Sequence, residues 1–189
     1  MTDEPSQSET QKGSENQFMI ERIKQLKVDA LYGKKKHYNA ADRKQSYHMW
    51  IGIPLTVTNI LLGSYIFAMI TLKWPDESNW LVGVLALIAA ILATFQTFFN
   101  FERQVEQHRS IATRYLAVAK GCSRLIAYHR DGQMEASGLR DQFEEYAKDY
   151  DQIASDSERS PTNRADYESA RQGFNDGEED YTISELDKE

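Results

Sequence analysis

The sequence predicts an all-α membrane protein, in which a two-helix transmembrane hairpin carries cytoplasmic helical extensions and a third cytoplasmic helix. Residues 49–72 and 80–101 contain no Asp, Glu, Lys or Arg, and each block exceeds the roughly 20 helical residues that a hydrocarbon core requires. The connection 73–79 is short and contains Pro75, so the two spans are expected to be antiparallel. The chain on both sides of the spans shows the apolar spacing of helices.

The N-terminal region is predicted to be disordered over residues 1–16 and helical from about residue 18. From there, apolar residues recur at spacings of three and four, as on one face of a helix: Ile20, Ile23, Leu26, Ala30 and Leu31. Gly33 is expected to loosen this helix, because glycine is a poor helix former. The pattern then continues into the first span without a proline.

Each span is bordered by residues typical of a membrane surface, where amphipathic aromatic rings and basic side chains collect. A buried helix of a soluble protein is the alternative interpretation, but too little other chain has an apolar face that could bury both blocks. The expected membrane-interface residues are Arg43, Lys44, His48, Trp50, Trp74, Trp80 and Arg103.

The basic residues also predict the orientation in the membrane. Both outer flanks are rich in Lys and Arg, whereas the connection between the spans carries only Lys73. The positive-inside rule therefore places both termini in the cytoplasm of a multi-pass protein. The first apolar run begins only at residue 49, so no cleavable signal peptide is expected.

Two further helices are predicted after the second span. The first continues the second span and ends near Arg130, because Asp131-Gly132 is a turn signal. The second covers about residues 138–154. The apolar pattern then fails, and residues 156–189 are predicted to form an acidic disordered tail, which leaves 17–155 as the two-transmembrane helical domain.

The charges are strongly segregated along the chain. Residues 21–48 carry a net charge of +5 and residues 102–130 a net charge of +4, whereas residues 131–189 carry −12. The opposite charges raise the hypothesis that the acidic tail docks on the basic helices and holds the protein inactive; the alternative interpretation is a solubilising tail. The cluster of Lys34, Lys35 and Lys36 is interpreted as a solvated face or a partner contact.

No pattern in the sequence indicates an enzyme, a metal site or a cofactor. The four histidines lack a recognisable metal spacing, and one cysteine excludes a multi-cysteine zinc site. That residue, Cys122, is interpreted as a buried thiol, with palmitoylation as the alternative. The net charge of −7 argues against nucleic-acid binding.

Small and polar residues recur on one face of each span at spacings of three and four. They allow close helix approach and hydrogen bonds across it, so packing within the hairpin or between copies is one interpretation. The other is that the polar members line a pore, which needs a homo-oligomer because two spans cannot enclose a water-filled path. The residues are Gly52, Thr56, Asn59, Gly63, Ala86, Ala90, Ala93, Thr97 and Asn100.

Three stretches of the chain resemble the SLATT family of small bacterial membrane proteins with two spans. They are 47–54, 95–101 and 108–115, and the resemblance covers roughly residues 18–155 and excludes the acidic tail. The family-motif residues are Pro54, Gln96, Asn100, His108, Arg109, Ala112 and Tyr115.

The resemblance implies a membrane effector of bacterial conflict and antiphage defence, which oligomerises in the inner membrane and forms a depolarising pore. It also implies a trigger from a partner, such as a nucleotide-second-messenger enzyme or a sensor protein encoded nearby. The alternative is a non-conducting two-span anchor or adaptor that presents its cytoplasmic helices and acidic tail to a partner. In both cases the lipid bilayer is the first partner of the chain.

Overall fold

A computed structural model describes residues 7–72 and 79–179, with side chains over 17–71, 80–135 and 137–179. Within these ranges the chain is helical and contains no strand. The helices are α1 (Gln7–Leu72), α2 (Asn79–Phe99), α3 (Phe101–Arg130), α4 (Ala136–Ser157) and α5 (Arg164–Asn175). The prediction of an all-α protein with two long apolar helices is confirmed.

The described chain divides into two compact units. Unit 1 contains residues up to Ala40 together with those from His108 onwards, and unit 2 contains Ala41–Gln107. Helices α1 and α3 each contribute residues to both units, because the unit boundaries fall inside them. The two apolar spans lie entirely in unit 2, so the two units separate the membrane-type helices from the charged ones.

The core of unit 1 is formed by one face each of α1, α3 and α4. Its buried residues are Ile23 and Ala30 on α1, six residues of α3, and Leu139 and Ile153 on α4. The six α3 residues are Ile111, Tyr115, Val118, Ala119, Cys122 and Leu125. The apolar faces of these three helices thus pack against one another, and α3 ends at the predicted Arg130 before the turn at Gly132.

Glycines allow close helix packing at two points of this core. A Cβ atom at Gly33 would lie 2.9 Å from the ring of Tyr115, and one at Gly121 would overlap the ring of Tyr146. The expectation that Gly33 loosens α1 was wrong, since α1 is continuous through it. Its missing side chain instead makes room for an aromatic ring from α3, and the packing gained outweighs the low helix propensity of glycine.

The prediction of disorder from residue 156 was wrong for most of the described tail. Helix α4 continues to Ser157, and α5 follows at Arg164–Asn175. The side chain of Asn163 accepts a hydrogen bond from the Asp166 amide, and the Asp166 carboxylate accepts one from the Asn163 amide, which forms a capping box. Residues 180–189 lie outside the described part of the chain.

The N-terminal residues predicted to be disordered also include part of a helix. Helix α1 begins at Gln7, whereas the sequence placed its start near residue 18. Residues 1–6 lie outside the described part of the chain, as do 73–78 from the predicted connection between the spans. The backbone of 7–16 is therefore helical where disorder was expected.

Candidate functional site

The apolar segments of unit 2 expose large hydrophobic side chains along their length. The most apolar 18-residue stretch of the first span has no buried residue, and in the second only 6% are buried. Trp50 is 77% exposed, Ile70 76% and Phe98 80%. A buried helix of a soluble protein would cover such residues. These helices therefore have the surface of membrane spans, and the buried soluble-helix alternative does not fit them.

The two spans meet through a face that differs from the predicted small and polar one. On α1 the partly covered side chains include Leu55, Leu62 and Ala68, and on α2 they include Leu85 and Ala89. This face is mainly aliphatic, so the hairpin is closed by ordinary apolar packing. Gly52 also belongs to it, because a Cβ atom there would lie 3.8 Å from the Gln96 amide nitrogen.

The predicted small and polar residues mostly point away from the partner helix. Ala93, like Gly52, is only partly exposed. The other members are exposed: Thr56, Asn59, Gly63, Ala86, Ala90, Thr97 and Asn100. Packing within the hairpin therefore does not account for these seven residues, and contact with another copy or with a pore remains open for them.

The polar side chains on this exposed face differ in whether they form hydrogen bonds within the chain. The Thr56 hydroxyl donates to the Gly52 carbonyl at 2.9 Å, and the Thr97 hydroxyl donates to the Ala93 carbonyl at 2.9 Å. Both threonines are thus satisfied within their own helices. The hydrogen bonds of the described residues include none to the exposed Asn59 amide. An unsatisfied amide in hydrocarbon is costly, so Asn59 favours a polar partner outside its own chain.

Asn100 has a different role from the other predicted face residues, because it separates α2 from α3. Its φ angle is 42°, in the left-handed region that asparagine tolerates better than most residues. The backbone bonds continue around it, from the Asn100 amide to the Gln96 carbonyl and from the Gln104 amide to the Asn100 carbonyl. The residue therefore makes a local break while its own amide and carbonyl keep helical hydrogen bonds.

The predicted membrane-interface residues are found at the ends of the spans with varied exposure. Trp80, like Trp50, is largely exposed, as is Arg103, whereas Arg43, Lys44 and His48 are partly covered. Trp74 lies outside the described residues. A cluster of aromatic rings follows the end of the second span, with stacked or edge contacts between 5.3 and 6.0 Å; it comprises Phe95, Phe98, Phe99, Phe101 and Tyr47.

Unit 1 contains a buried pair of histidines that the sequence did not predict. The Nδ1 atom of His37 on α1 lies 3.0 Å from the Nδ1 atom of His108 on α3, and both side chains are buried. The rings are also close to Tyr115, whose centroid is 6.0 Å from that of His37. Seventy-one residues separate the two histidines in sequence, so no local spacing could reveal the pair.

Burial controls the protonation of groups in unit 1. Desolvation, helped by the charges of His108 and Lys36 and opposed by Asp166, lowers the pKa of His37 to about 4. Burial also raises the pKa of the Cys122 thiol to about 11, in keeping with the interpretation of an inert buried thiol. Among the described residues, no group of three or more His, Cys, Asp or Glu is placed to hold a metal ion.

The described part of the acidic tail docks on α1, which agrees with the docking hypothesis and not with a merely solubilising tail. The segment 164–179, which we call the strap, consists of α5 and the turn that follows it. Near its start, the Asn39 amide donates to the Asp166 carbonyl at 3.0 Å. Near its end, the Phe174 ring stacks on Tyr32 with centroids 4.3 Å apart. The strap therefore lies antiparallel to α1 over about two helical turns.

Ion pairs join the end of the strap to the basic cluster. Lys34 pairs with Glu179 at 2.7 Å, and Lys35 pairs with Glu178 at 2.6 Å. Lys35 Nζ also lies 5.0 Å from the centre of the Phe174 ring, which is a cation–π distance. Two of the three clustered lysines are therefore engaged within the chain, and the interpretation of a solvated face does not hold for them.

The family-motif residues fall into both units. In unit 2, Pro54 is exposed inside α1, Gln96 faces Gly52, and Asn100 breaks the helix. In unit 1, His108 pairs with His37 and Tyr115 fills the space over Gly33. Ala112 is fully buried and Arg109 exposed.

The sequence did not predict the helix of the strap, because the strap lacks the long apolar stripe used to predict the other helices. The one local signal was the spacing of Asn163 and Asp166, which is that of a capping box.

Comparison with known protein families gives a match over most of the chain. The SMODS and SLOG-associating 2TM effector domain family 4 matches residues 19–187, which includes the strap that the sequence resemblance had excluded. The comparisons with curated proteins and with solved structures give no match. The two exposed apolar helices agree with the two transmembrane segments in the description of the family. The chain is a membrane protein that belongs to this family of two-transmembrane effector domains.

Proposed function

We propose that several copies of this chain assemble in the bacterial inner membrane into a pore, which depolarises the cell in antiphage or conflict defence. The observation that carries the proposal is the exposed face of unit 2 around Asn59. In a single hairpin this amide meets lipid, whereas in an oligomer it meets a second amide or water. Assembly would therefore remove the energetic cost of an unsatisfied amide in lipid, which the single hairpin bears.

The number of spans requires several copies for a water-filled path. The family has two transmembrane segments per chain, and two helices are too few to enclose a water-filled path by themselves. No Asp, Glu, Lys or Arg lies within either span. A pore built from these faces would be weakly selective or gated by an apolar constriction.

The proposed orientation places unit 1 and both termini in the cytoplasm. The flanks 21–48 and 102–130 carry net charges of +5 and +4. Flanking segments rich in Lys and Arg are retained on the cytoplasmic side. Signals from a cytoplasmic partner, for example a nucleotide-generating enzyme or a sensor, would then reach unit 1 directly. The association named in the family description supports a partner of this kind.

Ion flux through liposomes tests the proposal. The purified full chain is reconstituted into vesicles with a potassium gradient and a potential-sensitive dye, with and without chemical crosslinking to record copy number. We expect flux that rises more steeply than linearly with protein density, together with crosslinked species larger than a dimer. Flux that is absent at every density, from protein shown to be inserted, would contradict a pore.

A non-conducting anchor or adaptor is the second candidate function. The observation that favours it is the internal satisfaction of Thr56 and Thr97, since a face whose hydroxyls are already bonded does not require water. Under this alternative the hairpin would only hold unit 1 at the membrane. Vesicles would then keep their potential while a cytoplasmic partner still bound the reconstituted protein.

A further inference from the structure

The strap makes contacts that suit a reversible closure better than a permanent part of the core. The buried residues of α5 are small or polar: Asp166, Ala170 and Gly173. A 12-residue helix has little stability of its own in water, so α5 depends on its docking to α1. Elements with few buried apolar contacts are the ones that open first in a folded protein.

The end of the strap depends on a close fit around one lysine. A Cβ atom at Gly173 would overlap Lys35 Nζ and the Glu178 carboxylate, so alanine there would require the ends of these two side chains to move from their paired positions. The Lys35 side chain is only 10% exposed, and its charge is matched here by Glu178. A single added methyl group at Gly173 would therefore disturb the closure without altering any charge.

Opening the strap would change the surface of α1. Closed, it covers the face that carries Tyr32, Lys34 and Lys35; open, it would leave two positive charges beside an exposed aromatic ring. The same helix, α1, contains the first span further along the chain. The covered face therefore lies on α1, the same helix whose span would contact other copies in the proposed assembly.

We propose that the strap is an autoinhibitory closure, which occupies the basic face of α1 in the resting protein and restrains assembly until it is displaced. This inference rests on the proposed function, because assembly is the event that it controls. Displacement would come from a partner or ligand that competes for Lys34 and Lys35 with negative charge. High ionic strength would have the same effect in part, since it screens the ion pairs.

The test uses the full chain and variants that open the strap in two independent ways. Glu178→Lys with Glu179→Lys reverses the two acidic partners, and Gly173→Ala inserts a methyl group at the contact. Adding Lys34→Glu and Lys35→Glu to the first variant restores opposite charges and should close the strap again. Asp141→Lys with Glu144→Lys is the matched control, because it makes the same charge change at exposed positions of α4.

Three measurements are made on each variant: hydrogen exchange of residues 164–179, the crosslinked oligomer fraction in membranes, and membrane potential in cells at equal expression. Both opening variants should exchange at least tenfold faster in the strap and raise the oligomer fraction severalfold. The fourfold charge variant should return both towards wild type, and the α4 control should leave both unchanged.

The other possible results contradict either the autoinhibitory closure or the pore. Unchanged exchange in the opening variants would show that these contacts do not hold the strap, and faster exchange with unchanged assembly would make the strap merely structural. Either result overturns the closure. If assembly rises but no variant depolarises cells, the closure stands and the pore fails.

Discussion

The Nδ1 atoms of His37 and His108 lie 3.0 Å apart in the interior of unit 1. A contact of this length needs one nitrogen to donate and the other to accept, so at least one of the two rings is neutral. The charged groups around His37 are Lys36 on its own helix and Asp166 at the start of the strap. The pair therefore joins α1 and α3 by a hydrogen bond that proton uptake at the accepting nitrogen would break.

Acid should destabilise the protein through this pair. The pKa of His37 falls from 6.5 to about 4 on folding, so between these values the unfolded chain binds more protons than the folded one. The stabilisation is present above about pH 6.5 and is lost as the pH falls towards 4, by up to about 3 kcal/mol. Thermal unfolding of the full chain in detergent, measured from pH 7.5 to 4, should show this loss.

Two substitutions separate this effect from general acid denaturation. His37→Gln should lower the melting temperature at neutral pH and make its dependence on pH between 6.5 and 4 shallower. His129→Gln, which changes a histidine of α3 outside the pair, should keep the wild-type slope. The same slope in the His37 variant and in wild type would contradict the assignment.

Replacing Gly33 by alanine should destabilise unit 1. Alanine favours a helix by up to about 1 kcal/mol over glycine, but its Cβ atom would lie 2.9 Å from the Tyr115 ring and force the helices apart. Overpacking of this kind costs about 1–3 kcal/mol, so the net change should be a loss. Gly138→Ala is the control, because its Cβ atom would sit 3.7 Å from Met134 Cγ, an ordinary contact. An equal or higher melting temperature for Gly33→Ala than for Gly138→Ala would refute this.

Asn59 should matter more for assembly than Thr97, although both are exposed polar residues of the spans. Asn59→Leu removes an amide that has no hydrogen bond in the described structure, whereas Thr97→Val removes a hydroxyl already bonded to the Ala93 carbonyl. A polar contact between membrane helices contributes about 1 kcal/mol, or roughly fivefold in association. We expect the crosslinked fraction and the flux to fall in the Asn59 variant only. Equal effects of both substitutions would remove the basis for an interface at Asn59.

Substitutions at Asn100 should act through the backbone. With φ at 42°, glycine should be accepted, whereas valine should cost at least about 1–2 kcal/mol because its Cβ branches crowd the left-handed conformation. The melting temperatures of Asn100→Gly and Asn100→Val check this. If both variants melt alike, the break does not depend on this conformation. Flux in the glycine variant further shows whether the amide itself serves a pore.

Much of the fold could be predicted from local patterns. The two uncharged blocks predicted the spans, the spacing of Ile23 and Ala30 indicated the buried face of α1, and Asp131-Gly132 marked the end of α3. The strap could not be predicted in this way, because its buried positions hold small or polar residues and its stability depends on α1. Opposite charge offered docking of the tail as one of two interpretations, and it could not indicate through which residues the tail docks.

The candidate site was predicted only in part. Spacing grouped Gly52, Thr56, Asn59 and Gly63 on one face, but periodicity cannot say whether that face meets the other span, another copy or lipid. The structure shows that an aliphatic face closes the hairpin and leaves most of the small and polar residues exposed. It also shows that Asn100 lies at a helix break rather than on a continuous face.

The sequence by itself determined which segments are apolar enough to cross a membrane, that the helix after the second span ends near Arg130, and to which family the chain is similar. These properties depend on residues that are neighbours along the chain. Only the tertiary structure decided that His37 meets His108, that Gly33 receives Tyr115, and that Lys35 is held by Glu178 beneath the strap. Such contacts join residues 71 to 143 positions apart, and their energies exist only once packing has brought the helices together.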